Sequence, residues 1–199
     1  MPTSISENDQ QLLRVIDDAW QQAAALSGPL LACKVGCTEC CYGPFPINML
    51  DVWRLREGLR QLPPDRAERI RLRAGGAWRR MSPEFPGDPA TGVFHEDGEA
   101  EIQFSTKFAH EPCPALDQRT GACELYAHRP LSCRTFGPPV KAGPEHLPPC
   151  RLCYQGASEH RINACRVEVD PDMMEDAILC DLAQDGGPSG QTVIAFVLR

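Results

Sequence analysis

Residues Cys33–Cys41 read CKVGCTECC, four cysteines in nine residues with the last two adjacent. A metal-bound thiolate shares its centre with about three other donors, and short spacers bend the backbone so that several sulfurs aim at one place. Cys33-x3-Cys37-x2-Cys40 has that form. Cys41 does not follow from it, because neighbouring side chains diverge by about 100° on a helix and face opposite ways on a strand. Cys40 and Cys41 are therefore not expected to hold one mononuclear ion together. Cys41 is expected to face a second centre, with simple packing as the alternative.

Five further thiols lie downstream, at Cys113, Cys123, Cys133, Cys150 and Cys153. Eight of these nine cysteines would fill two four-ligand centres. Some seventy residues separate Cys41 from Cys113, so ligation closes a long loop and turns metal-binding free energy into folding free energy. Eleven cysteines cannot all pair within one chain, and a reducing compartment sustains no disulfide framework. Cys165 and Cys180 stand apart and read as ordinary core or free thiols.

The remaining composition is that of a globular protein: 199 residues, 42% hydrophobic and 24% charged. The N-terminus lacks the basic and apolar regions of a leader, and no run approaches the roughly 18 apolar residues of a membrane span. The expectation is a cytoplasmic protein that does not enter a membrane. A net charge of -7 argues against nucleic acid as a partner of the whole surface. The stretch from Arg54 to Arg80 differs, with nine arginines against Glu57, Asp65 and Glu68. It reads as a solvated helical face or as a patch for an acidic protein partner.

The pattern predicts a single domain over 1–199, mainly α, with long irregular loops and at most one or two short hairpins: an N-terminal helix within 1–28, a cysteine core over 33–153, and a C-terminal helix with its tail from 170. The first helix covers Ser4 to Leu26, with Leu12, Leu13, Ile16, Trp20, Ala23 and Ala24 on one stripe and Ser4 with Glu7 as a capping box. Two more helices follow, from Asn48 to Leu62 and from Pro64 to Met81. Trp20, Trp53 and Trp78 are expected in the core. A hairpin is expected around Asp97-Gly98, with Phe94, Ile102 and Phe104 on its strands. A tight hairpin near Leu116 and Leu125 carries Cys113 and Cys123, and one helical turn spans His128 to Arg134. Asp170-Pro171 starts the last helix, through Ile178 and Leu182, and the tail TVIAFVL reads as a strand.

The order Cys-x3-Cys-x2-Cys-Cys, then CPAL, then GACELYAHRPLSCRTF resembles the YkgJ-type cysteine-cluster family, whose members are described as zinc- or iron-chelating. The resemblance runs from Cys33 to about Cys150. It implies Cys33, Cys37, Cys40, Cys41, Cys113, Cys123 and Cys133 as metal ligands, with Cys150 the candidate for a later one and Cys153 beyond it. It offers nothing for Cys165 or Cys180. Flagellin lysine methylases contain a similar cluster, so the module can serve an enzyme, but no S-adenosylmethionine site is recognisable here.

A triplet with remote cysteines suits a cubane iron–sulfur cluster, one or two of the 4Fe-4S type, whereas paired C-x2-C ligands suit zinc. Only Cys150-x2-Cys153 has the zinc form. Lys34, Arg129, Arg134 and Arg151 neighbour the cysteines and can offset thiolate charge; Arg129-Pro130 can instead fix the turn that aims Cys133. His110 lies three residues before Cys113, and the other four histidines show no ligand spacing. No nucleophile elbow, phosphate loop or carboxylate pair appears, so no catalytic residue can be named.

Overall fold

The computed structural model describes residues 3–199, with side chains from Ser6 onward. In chain order the elements are α1 (Thr3–Ser27), β1 (Ile47–Asn48), α2 (Met49–Gln61), α3 (Pro64–Met81), β2 (Gly87–Asp88), β3 (Val93–Phe94), α4 (Gly98–Lys107), β4 (Leu116–Asp117), β5 (Ala122–Cys123), α5 (Leu131–Thr135), β6 (Val140–Ala142), β7 (Glu145–Leu147), α6 (Glu159–Ala164), β8 (Val167–Val169), α7 (Met174–Gln184), β9 (Gln191–Thr192) and α8 (Ile194–Val197). The chain is mainly α with a few short strand pairs, as its pattern predicts. Contacts gather into two compact units, Met1–Lys34 with Leu131–Pro188 and Val35–Pro130 with Ser189–Arg199. Neither is contiguous, because the segment after Leu131 returns to α1 while β9 pairs antiparallel with β1, Ile47 opposite Thr192.

In the first unit α1 packs on α5, β8 and α7. Leu12, Ile16 and Ala23 of its predicted stripe are buried, while Leu13, Trp20 and Ala24 are half-buried. Ser4, the capping member of the expected box with Glu7, lies outside the described side chains. Arg134 of α5, beside Cys133, turns its buried guanidinium to Asp17 of α1, 2.9 Å from both carboxylate oxygens. The last helix starts at Met174, later than Asp170-Pro171 suggests. Asp170 still caps it, its carboxylate accepting from the amides of Met174 (2.8 Å) and Glu175 (2.9 Å) across a turn in which Asp170 and Met173 both take φ of 51°. A three-stranded sheet, β7-β6-β8, completes the unit, with β6 parallel to β8. Strands of three residues carry too little alternation to be read from sequence.

In the second unit Asn48 caps α2, its Oδ1 accepting from the amides of Leu50 (3.0 Å) and Asp51 (3.1 Å). Pro64 opens α3 and Met81 closes it, at the predicted bounds. Leu55, Leu59, Ile70 and Ala74 on these helices join Ile47, Ala115, Leu125, Ile194 and Leu198 in one buried cluster. A second cluster holds Phe85, Phe94, Phe104 and Phe196, with ring centroids from 4.5 to 6.0 Å apart.

Three local expectations change. Asp97 caps α4, accepting from the Ala100 amide, so Phe104 is buried from a helix and Ile102 is exposed. The hairpin falls earlier, at β2–β3, with Asp88 opposite Val93. The tail is not a strand: after β9 it coils into α8 with every residue from Thr192 to Leu198 buried, and a short apolar run has no period to separate buried helix from buried strand. Trp53 is exposed on α2, while Trp20 and Trp78 are half-buried. No described helix is long and apolar enough to cross a membrane.

Candidate metal centre

The second unit brings together cysteines from both ends of the predicted core. Glu39–Cys41 forms a single 3-10 turn that ends in extended backbone at Tyr42. From there the chain runs beside residues 111–113. The Cys113 amide donates to the Cys41 carbonyl (2.8 Å), the Gly43 amide to the Glu111 carbonyl (2.8 Å), and Tyr42 bridges Pro112. Cys113 then leads into the expected hairpin β4–β5, where Leu116 faces Cys123. The hairpin turn is held by Asp117, whose carboxylate accepts from the Arg119 amide and the Thr120 hydroxyl. Cys113 and Cys123 pack against the buried cluster of α2, α3 and α8, which supplies a rigid floor.

The Cys37 loop reaches the same hairpin through two glycines. Gly121 takes φ of +70°, and a Cβ there would lie 3.0 Å from the Gly36 carbonyl oxygen and 3.1 Å from its Cα. Gly121→Ala is expected to cost about 1–2 kcal/mol in left-handed backbone strain alone. It should also push the Cys37 loop away and lower metal retention. Urea unfolding with metal analysis checks both, and full retention in the variant would count against this placement.

Cys40 and Cys41 do not diverge as regular backbone would make them. Interaction with the neighbouring Cys41 side chain holds Cys40 below the ordinary thiol range, helped by backbone hydrogen bonding and the Arg129 guanidinium. Cys41 is held up by the same interaction, by burial, and by the charges of Cys40, Cys113 and Cys123. Cys113 is pushed up to about 12, chiefly by burial and then by Cys123 and Cys40. Burial raises Cys123 as well, with Arg129 opposing it. Cys41 is the last residue of the 3-10 turn, and the chain opens into extended backbone at Tyr42 rather than continuing a helix. Cys40, Cys41, Cys113 and Cys123 thus form one electrostatic group.

The arginines beside the cysteines behave differently from one another. Arg129 stacks over the Tyr126 ring at 3.9 Å, donates to the Tyr126 carbonyl, and lowers Cys40 and Cys123. Arg134 serves Asp17 instead. Lys34 and Arg151 are exposed. In the basic stretch, Arg54, Arg60, Arg66, Arg69, Arg71, Arg73 and Arg80 all meet acidic side chains of their own unit. Arg66 and Arg73 converge on the buried Glu124 next to Cys123, Arg73 also donates to the Pro114 carbonyl (2.7 Å), and Arg80 holds Glu111 (3.0 Å). The α3 arginines thereby brace the segment that carries Cys113 and Cys123. The sequence shows the charge but not these counter-charges, which lie 31 to 58 residues away.

The other predicted ligands fall in the first unit. Cys33 packs against a buried cluster containing Cys150, Cys153 and Cys165. Cys133 is half-buried on α5 and belongs to neither the cysteine-bearing cluster nor the α2–α3–α8 cluster. Cys180 is exposed, as is His110. Among the described residues no three His, Cys, Asp or Glu side chains stand in metal-holding geometry. What fits a metal is the donor set: soft sulfurs gathered in one partly buried group, with a fixed cation beside them, suit zinc or iron over hard oxygen-seeking ions.

A search of the curated proteins returns no match, and neither does a search of the solved structures. A family model described as "Putative zinc- or iron-chelating domain" matches residues 32–160. Cys33 through Cys153 all lie within that span, Cys165 and Cys180 outside it. With well over half of its length matched, the chain belongs to the CxxCxxCC family of cysteine-rich metal-chelating domains.

Proposed function

We propose that this chain holds an iron–sulfur cluster through thiols of its second unit, drawn from Cys37, Cys40, Cys41, Cys113 and Cys123, and works as a small redox or accessory protein. The observation that carries the reading is the junction of the two cysteine segments, where the Cys113 amide donates to the Cys41 carbonyl (2.8 Å) and Cys113 leads into the hairpin that carries Cys123. Adjacent residues have difficulty ligating one ion, but a polynuclear centre offers each sulfur a different metal atom. The bound cluster would supply one-electron chemistry. Arg129 would offset the negative charge of ligated Cys40 and Cys123, the hairpin would fix Cys113 and Cys123, and the α3 arginines would keep that hairpin in place through Glu124.

Zinc is the second reading, and the family description names it beside iron. In that case the centre is structural and the protein a metal-stabilised interaction module. Anaerobic purification followed by iron, zinc and acid-labile sulfide analysis, with a visible spectrum, separates the two. Iron with matching sulfide and broad visible absorbance is the expected result. Colourless protein rich in zinc would overturn the iron–sulfur reading, and metal-free protein would overturn chelation altogether.

A further inference from the structure

We infer that the first unit carries its own four-thiol site for a single zinc ion, built from Cys33, Cys150, Cys153 and Cys165. Cys150, Cys153 and Cys165 are 8%, 4% and 0% exposed and form one buried cluster with Tyr154, against which Cys33 packs beside Leu30 and Leu31. One buried thiol is an ordinary small core residue. Four in one cluster, contributed by three separate segments, are not accounted for in that way.

The backbone around them points to a ligand. Cys150-x2-Cys153 forms a tight turn in which the Cys153 amide donates to the Cys150 carbonyl (2.8 Å) and the Leu152 amide points at the Cys150 sulfur (3.5 Å). An amide aimed at sulfur stabilises the thiolate, and such outer hydrogen bonds orient metal ligands. Cys33 is brought to the turn through Gly137. The Gly137 carbonyl accepts from the Cys150 amide (2.9 Å), and a Cβ on Gly137, at φ of +122°, would lie 2.6 Å from the Cys33 sulfur. Only a residue without a side chain lets that thiol in. The Tyr154 amide bonds the Leu30 carbonyl (2.8 Å), tying the Cys33 segment to the Cys150 turn a second time. From the end of α6, the Cys165 thiol donates to the Leu26 carbonyl (3.4 Å), which also accepts from Arg161 (2.9 Å).

Loading exchanges the Cys165 hydrogen bond to Leu26 for a metal bond and requires rotation of the thiols towards a common point, since they do not share one as thiols. Zn2+ displaces four thiol protons to solvent and leaves a site of charge −2, with no change of oxidation state. Arg161 lies beside Cys165 to offset that charge. Four sulfurs with one C-x2-C turn suit a closed tetrahedral zinc site. Cys165 is its distinctive member, because it lies outside the span matched by the family model.

The test loads the full chain with cadmium-113 and correlates metal resonances with cysteine β-protons by NMR, which needs no substitution. One cadmium resonance coupled to Cys33, Cys150, Cys153 and Cys165 is the expected result. A resonance coupled to the first three without Cys165, or none coupled to this group, overturns the inference. A separate resonance coupled to Cys113 and Cys123 reports on the centre proposed above, so failure of one reading leaves the other legible. In zinc-loaded protein, Cys165→Val should lose one equivalent of zinc and Cys180→Ser none. Retention of that equivalent by a folded Cys165→Val protein also overturns the inference.

Discussion

Metal-stripped protein is expected to unfold at a temperature roughly 8–16 °C below the metal-loaded form. Metal held at a thousand times its dissociation constant stabilises the folded state by about 4 kcal/mol, and each kcal/mol moves the midpoint of a chain this long by roughly 2–4 °C. The shift is large because the thiols being joined are far apart in sequence. Cys40 and Cys41 come from the loop after α1, and Cys113 and Cys123 from the β4–β5 hairpin, so a shared metal constrains about seventy residues of intervening chain. Calorimetry of chelator-treated and reloaded protein under anaerobic conditions measures the difference. Cys113→Ser should abolish the part of it that the cysteine group of the second unit supplies, while leaving the stripped midpoint nearly unchanged. Identical midpoints with and without metal would remove the structural role assigned to the cysteine group.

A loss of about 3–5 kcal/mol is expected from Asp51→Ala, with no change in the cysteine group. Asp51 and Arg54 lie on α2 at 2% and 5% exposure, with Arg54 Nη1 2.7 Å from Asp51 Oδ1. Removing the carboxylate breaks a buried ion pair from one side, which costs more than the loss of one neutral hydrogen bond. Asp51 also sits in the first turn of α2, where its charge favours the helix N-terminus. The double variant Asp51→Ala, Arg54→Met should recover most of the loss, because a buried pair replaced by apolar side chains is close to neutral. Urea unfolding of the three proteins decides the matter. A loss below about 1 kcal/mol in Asp51→Ala would show that the pair is not desolvated as its burial indicates.

Much of this protein is legible in its sequence for a local reason. The spacing of Leu12, Ile16 and Ala23, the start of α2 at Asn48, the proline start of α3 and the Leu116–Leu125 hairpin depend on neighbours within a few residues, and all four appear where the pattern places them. Asp97 shows how close two local readings can be. As a turn residue before glycine it suggests a hairpin, but its side chain reaches the Ala100 amide and caps a helix.

The cysteine order and spacing determined membership of a metal-chelating family, and composition with periodicity determined a mainly helical chain. Only the tertiary structure decided which sulfurs become neighbours. Cys33 and Cys37 are four residues apart and look like one triplet with Cys40, yet Cys33 packs with Cys150, Cys153 and Cys165, while Cys40 groups with Cys41, Cys113 and Cys123. A spacer of two or three residues restricts how two thiols can point, but not which distant strand, turn or glycine comes to meet them. Those meetings rest on long-range contacts, the Cys113 amide on the Cys41 carbonyl and the Gly137 Cα under the Cys33 sulfur, that exist only once the whole chain has folded.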